Sequence, residues 1–262
     1  MRRLTLLISA LYMAAVYIFI FLPVAVLVIF SFQDGSLPVP PLHGLTWRWY
    51  GEVLSDRGLM DALFNSLIVA IVSSLASCLL GFLAAYGLAR HRLPASALMR
   101  GLLAAPMSVS TLIIGLGLLA LFNRLGAPLS LLTIGVGHVV INMPLCFAII
   151  YASMGDHQVN IERAARDLGA REWQVVALVT APMLAPSILA SFFLSVTFSW
   201  DEFIIAFLLS RFDVTLPVEI WSMLRSGLNP KTNAIGSLVF LVSIALLFLA
   251  EFTVFRKART RP

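Results

Sequence analysis

Apolar residues in this chain fall in long unbroken blocks rather than in alternation, and there are six such blocks. They cover roughly residues 6–30, 62–89, 101–122, 129–151, 187–210 and 235–255, with few or no charged side chains in each. A helix rises about 1.5 Å per residue and a bilayer core is about 30 Å thick, so about 20 such residues suffice to cross it. Membrane strands would instead alternate apolar and polar positions over segments of about ten residues. The pattern predicts an all-α membrane protein with six transmembrane helices, in a single domain over residues 1–262. The first block is uncharged from Leu4 to Gln33. That exceeds the about 7 to 15 residues of a signal-peptide core, and no small-x-small cleavage site follows, so it is read as a retained helix.

Composition agrees: 60% of residues are hydrophobic and 12% charged, with mean hydropathy +0.96. A water-soluble domain carries about 25% charged residues and could not hide this apolar excess in one core. The net charge of +5 matters through its placement. Twelve of the 18 basic residues, Arg2, Arg3, Arg90, Arg92, Arg100, Arg163, Arg166, Arg171, Arg256, Lys257, Arg259 and Arg261, lie in the two tails and in the second and fourth connections. The opposite loops hold Arg48, Arg57, Arg124, Arg211, Arg225 and Lys231. By the positive-inside rule both termini are cytoplasmic, as an even number of spans requires. Such a distribution reports membrane orientation and implies no nucleic-acid partner. Cys78 and Cys146 sit inside apolar blocks and read as small buried residues rather than redox or metal groups.

Two connections exceed a simple turn. The first outer loop, about 31–61, contains Pro38, Pro40 and Pro41 and the aromatic group Trp47, Trp49 and Tyr50, which suits either an interfacial anchor or a partner contact. The inner loop, about 153–186, carries more. Asn160 can cap a short helix with an apolar face of Ile161, Ala164, Ala165 and Leu168, ended by Gly169. A second amphipathic turn with Trp173, Val176 and Val179 follows, stopped by Pro182. Its charges, Glu162, Arg163, Arg166, Asp167, Arg171 and Glu172, mix both signs. That composition fits a solvated surface helix or a protein-docking element.

The run Glu162-Arg163-Ala164-Ala165-Arg166-Asp167-Leu168-Gly169-Ala170, with Pro182 thirteen residues after Gly169, resembles the EAA loop of binding-protein-dependent ABC importer permeases. The Ala-Ala-x-x-x-Gly core, the trailing proline and the position between the fourth and fifth blocks carry the likeness. Two positions depart from it: the usual Glu falls on Arg163, with Glu162 one place earlier, and Ala181 stands before Pro182 where Leu is common. Stretches Phe30-Ser31-Phe32, Leu45 to Tyr50, Phe198 to Phe203, Thr215 to Met223 and Asn229 to Ala234 are similar to the second permease subunit of spermidine/putrescine importers, which usually has an acid where Lys231 stands. The resemblance implies the MetI-like type I importer fold in a bacterial inner membrane. It implies that Glu162, Arg163, Ala164, Ala165, Asp167, Leu168, Gly169 and Pro182 belong to a loop that couples to an ATPase. The implied partners are a second homologous permease, a nucleotide-binding homodimer holding ATP and magnesium, and a periplasmic substrate-binding protein, with polyamine as the cargo. An amino acid or another small solute, or an ion-coupled carrier, is the alternative.

Asp201 and Glu202 interrupt the fifth block, roughly 21 Å along the helix from Ser187. Carboxylates at that depth are costly unless they face water, a cation or another helix. They are candidate pathway or gate residues, with Trp200 able to add a cation–π contact to an ammonium group; a structural ion pair is the competing reading. Glu219 and Trp221, after Pro217, suit either a short lid that meets the binding protein or an interfacial helix. His138 suits a hydrogen bond to another helix or a ligand contact, and Glu251 can snorkel or pair with the basic tail. Lys231-Thr232 follows Pro230 rather than glycine, so no phosphate-cradling loop is present, and neither His-Glu-x-x-His nor Gly-x-Ser-x-Gly occurs. The chain is expected to be a transport subunit without catalysis or a cofactor of its own.

Overall fold

The computed structural model describes residues 2–259 apart from 36, 39, 41–43, 92, 93 and 228, so Pro41, Arg92 and Arg261 lie outside the described residues. Among the described residues the fold is helical, with one isolated bridge between Gln33 and Leu45. The helices are α1 (Arg2–Phe30), α2 (Arg48–Ser55), α3 (Arg57–Arg90), α4 (Ser96–Ala104) with a tight turn at Ala105–Ser108, α5 (Thr111–Leu125) and α6 (Leu131–Ala152). They continue with α7 (Asp156–Asp167), α8 (Glu172–Met183), α9 (Ala185–Asp201), α10 (Ile204–Leu209), α11 (Leu216–Ser226) and α12 (Pro230–Arg259).

Four helices, α1, α3, α6 and α12, are long and apolar enough to cross a membrane unaided. Up to six crossings result if each of two bent pairs counts as one, α4 with α5 at 102° and α8 with α9 at 74°. The 101–122 block is therefore not a continuous helix. Pro106 has no N–H for the carbonyl four residues back, the chain tightens at Ala105–Ser108, and Val109 and Ser110 turn extended at ψ 137° and 136°. The 187–210 block also breaks. Its helix stops at Asp201, Glu202 takes an extended backbone (φ −73°, ψ 113°), and helix resumes at Ile204.

The chain forms two compact units, residues 1–60 with 219–242, and 61–218 with 243–262. In the first, the outer-loop aromatics build a local core. Trp49 is buried and its indole N–H donates to the Gln33 carbonyl at 2.7 Å, while the Tyr50 hydroxyl shares a 2.6 Å bond with Ser31. Trp47 stays 73% exposed, edge-on to Phe32 at 4.7 Å between ring centroids. Lys231 at the start of α12 donates to Asp56 at 2.6 Å.

The second unit is built around α3, whose buried positions recur at helical spacing and are mostly small: Ala62, Ser66, Ala70, Ser73, Ser74, Ser77, Cys78, Gly81 and Ala85. Many of its large residues, among them Phe64, Ile68, Val72, Leu75, Leu79 and Leu83, point outward, whereas Leu59, Val69, Phe82 and Tyr86 are buried. Small residues inside and large apolar ones outside is the arrangement expected where lipid, not water, surrounds a bundle, because close backbone approach then drives helix association. At Gly81 a Cβ would lie 2.8 Å from the Phe147 backbone nitrogen, so α3 and α6 touch there only because the residue is glycine. Helix α9 completes the packing in antiparallel register. Ser199 meets Ser73 (3.2 Å) and His138 (2.6 Å), and Ser191 meets Cys78 (3.4 Å) while its carbonyl lies 3.7 Å from the Cys146 thiol. His138 thus bonds to a neighbouring helix.

Candidate functional site

The loop helix α7 begins at Asp156, after Gly155, whose N–H donates to Gln158 Oε1 at 2.9 Å. Asn160 lies inside the helix rather than at its cap, because the acid Asp156 in the first turn and the Gln158 bond already satisfy an earlier start. Gly169 ends it as expected, at φ +89°, a conformation that favours glycine. Two backbone bonds close the end, Gly169 N–H to Arg166 O (2.8 Å) and Ala170 N–H to Ala165 O (3.1 Å).

The buried face of α7 differs from the expected apolar one. Ile161, Ala164 and Leu168 are exposed, Leu168 by 90%, and Ala165 is half-buried, whereas Glu162 is fully buried. The reason is an ion pair. Arg90, the last residue of α3, grips Glu162 through Nε (2.7 Å to Oε2) and Nη2 (3.2 Å to Oε1), and the Thr180 hydroxyl donates to Oε1 at 2.9 Å. A buried carboxylate so paired and hydrogen-bonded is tolerated; alone it would be costly. Arg163, at the usual position of the family's Glu, is exposed, as is Asp167.

Helix α8 explains how Thr180 reaches this carboxylate. Residues Val175–Thr180 form a π-helical stretch, widened to i→i+5 bonding, so Val175 and Thr180 share one face and both are buried. Val176 and Val179 are half-buried, and Trp173 is 61% exposed. Pro182 does not stop the helix. It sits in the last turn, Ala181–Met183, where its missing N–H is absorbed by the widened stretch before it, and the bend comes at Leu184.

A second carboxylate is held one turn back along α3. Glu172 accepts from the Tyr86 hydroxyl (2.6 Å) and from Arg166 Nη2 and Nε (2.8 and 2.9 Å), and Arg166 Nη2 also donates to the Tyr86 oxygen at 3.1 Å. Tyr86 and Arg90 are four residues apart and so lie on one helical face. Around them opens a polar cleft of about 310 Å³ that Arg90, His91, Glu162, Arg163, Arg166 and Glu172 help to line. Tyr86 and Thr180 were not singled out by the sequence, and Arg90 was read only as one of the basic residues that orient the chain. The only signal for them was a tyrosine and an arginine, i and i+4, at the end of a span bordering acid-bearing loop sequence.

The other candidates are placed differently. Trp200 is 2% exposed and its indole N–H has no hydrogen-bond partner among the described residues. Asp201 ends α9 exposed, and Glu202 caps α10 by accepting from the Ile205 N–H at 3.1 Å. These three belong to the second unit. Glu219, half-buried, and Trp221, exposed, belong to the first and lie on α11, so the short helix expected after Thr215 is present. Among the described residues no group of three His, Cys, Asp or Glu is placed to hold a metal ion.

Comparison with known proteins follows the same lines. The family model described as "Binding-protein-dependent transport system inner membrane component" matches residues 77–259. The chain is 33% identical over 253 residues to the putrescine transport system permease protein PotI of Escherichia coli (strain K12), covering 94% of this chain and 90% of the relative. It is 27% identical over 241 residues to the spermidine/putrescine transport system permease protein PotC of the same strain, covering 92% and 91%. The sulfate transport system permease protein CysT of that strain is 27% identical over 230 residues, covering 81% and 83%. In fold the chain resembles a chain of a bacterial alginate ABC transporter in complex with alginate pentasaccharide-bound periplasmic protein, at TM-score 0.71 and 15% identity, over 100% of this chain and 98% of that one.

Proposed function

The chain belongs to the family of binding-protein-dependent transport system inner membrane components, and from that premise we propose that it forms half of the translocation pathway of an ATP-driven polyamine importer. In this reading the two bent helix pairs each count as one crossing, giving six spans in a single permease domain with both termini in the cytoplasm. A second homologous permease completes the pathway, a separate ATPase dimer binds ATP and magnesium, and a periplasmic protein delivers the cargo. Closure of the ATPase dimer pushes on α7, and the helices rock between inward- and outward-open arrangements.

The observation that carries the reading is the loop itself. A short helix closed by Gly169 presents Leu168 almost fully exposed, with Arg163, Arg171 and Trp173 exposed beside it, while its inward face is tied to α3. An exposed leucine next to charges is what a docking surface requires and what a solvated helix does not. Polyamine is the cargo proposed because PotI and PotC together cover most of the chain, with PotI the more identical of the two. Asp201 is the acid proposed to meet an ammonium group in the pathway, with Trp200 and Glu202 beside it in sequence; Glu219 and Trp221 are proposed separately as lid residues that meet the periplasmic protein.

The test is ATP-driven uptake into proteoliposomes of the assembled complex, with the partner periplasmic protein titrated against putrescine, spermidine, common amino acids and sulfate. Tight binding and uptake of a polyamine is the expected result. Binding of sulfate or an amino acid instead would overturn the cargo. Uptake that persists without ATP and collapses with the proton gradient would overturn the ATP-driven mechanism in favour of an ion-coupled carrier.

A further inference from the structure

The ionic contacts of the loop all converge on the last turns of α3. Arg90 binds Glu162 of α7 with both bonds of a bidentate pair, and the same carboxylate takes the Thr180 hydroxyl of α8. Tyr86 binds Glu172 at the start of α8, and Arg166 of α7 closes that group. Each carboxylate therefore joins three segments: α3, α7 and α8. The Arg90 and Glu162 side chains are 8% and 0% exposed, so water does not compete for the inner pair. Salt bridges at an exposed surface yield readily, whereas a buried one breaks only at the cost of leaving a charge unpaired. Covalently the loop meets the bundle at α6, through the three residues 153–155, and at α9. The first connection is that short turn, and the second passes Leu184, where the chain bends by 74°, whereas the Arg90–Glu162 pair ties α7 to α3 side by side.

We propose that Arg90 and Glu162, reinforced by Tyr86 and Glu172, are positioning residues that lock α7 to α3, so that α3 rather than the bent α8–α9 connection receives the displacement of the loop. This rests on the reading of α7 as the ATPase-coupling helix and adds the path by which its movement enters the membrane. It also accounts for Glu162 lying one place before the family's usual position. The acid faces inward as the strut, and Arg163 is left outward for the partner. The face of α3 against α9, with Ser73 on Ser199 and Cys78 on Ser191, then carries the movement into the bundle.

The test measures whether α3 and α7 move as one body. Spin labels at the exposed positions Leu83→Cys on α3 and Asp167→Cys on α7, in the complex with its ATPase, report the distance between them; the native Cys78 and Cys146 are both buried. In otherwise unaltered complex the distance stays within about 2 Å between the nucleotide-free and vanadate-trapped states. Glu162→Gln, which keeps the shape and the Thr180 contact but removes the charge, broadens or shifts that distance. It also lowers putrescine moved per ATP hydrolysed about tenfold. Arg90→Lys, which keeps the charge but loses the bidentate grip, falls between the two. A distance that shifts on trapping with the clamp intact, or a Glu162→Gln complex indistinguishable from the parent in both readouts, overturns the proposal. The importer reading fails separately, by the absence of any ATPase that assembles with the chain.

Discussion

The helix bundle and the loop junction both bury polar groups, the junction at its Arg90–Glu162 pair, yet these groups are held by opposite means. Inside the bundle, α3, α6 and α9 meet through an apolar cluster that includes Phe82, Phe147 and Ile150, and their polar contacts are made by serines, cysteines and one histidine. The hydroxyls of Ser74, Ser77 and Ser195 and the amide nitrogen of Asn142 have no hydrogen-bond partner among the described residues. At the junction, buried Glu162 has two donor residues, Arg90 and Thr180, and Glu172, whose pair with Arg166 is open to water, has two more, all at 3.2 Å or less. Hydroxyl contacts between membrane helices are worth only about 0.6 kcal/mol on average, whereas breaking one side of a buried ion pair costs about 3 to 5 kcal/mol. A machine that must move inside the membrane while being pushed from outside it needs that contrast: weak, many-positioned contacts where helices slide, and stiff ones where the push arrives.

Substitutions can break this contrast at either end. Arg90→Ala leaves Glu162 buried and unpaired, and should cost about 3 to 5 kcal/mol in denaturant unfolding of the purified chain; a loss under about 1 kcal/mol would make the junction no stiffer than the bundle. Gly81→Val forces a side chain against the α6 backbone 2.8 Å away, where nothing flexible can yield. It should cost about 1 to 3 kcal/mol, read as a lowered midpoint on heating in detergent. Ser199→Ala removes the partner of both Ser73 and His138, yet should cost only about 0.6 kcal/mol by the same assay. A cost as large as that of Arg90→Ala would erase the distinction.

A smaller effect separates the outer ion pair from both. Lys231 beside Asp56 holds its carboxyl below the ordinary value of 3.8. The pair therefore stabilises the folded chain fully above that ordinary value and loses its contribution as pH falls through the lowered one. The stability difference between the parent and Asp56→Asn should be constant from pH 7 to about pH 5 and shrink below about pH 4. Growth of that difference on acidification would contradict the pairing. Smallest of all, Arg48→Ala, which deletes an exposed i,i+4 pair with Glu52, should shift stability by under about 0.5 kcal/mol.

Much of the membrane part was legible in the sequence because apolar length is a one-dimensional quantity. The blocks at 6–30 and 62–89 each fall within one helix, the 129–151 block does so from Leu131 onward, and Gly169 ended α7 as its residue type requires. The breaks were less visible. At Val109 and Ser110 and again at Glu202, hydropathy stays high or nearly so across the break, and only Pro106 and two adjacent acids mark it. The junction was hidden for a different reason. Glu162 looked like a solvated charge on a mixed helix, and the arginine that buries it stands 72 positions earlier. Thr180 was hidden by the π-helical stretch, since 3.6-residue spacing from Val175 leads to Val179 instead.

The central claim is that α7 passes the work of an ATPase to the membrane helices, and it is tested most directly at Gly169. A Cβ there meets nothing within 4 Å, so a substitution acts only through the backbone conformation that closes the helix. In the reconstituted complex, substrate-stimulated ATP hydrolysis and uptake should fall about tenfold in Gly169→Val and much less in Gly169→Asn, which tolerates positive φ. Both variants should still bring down the ATPase. Full coupling in Gly169→Val would contradict the account.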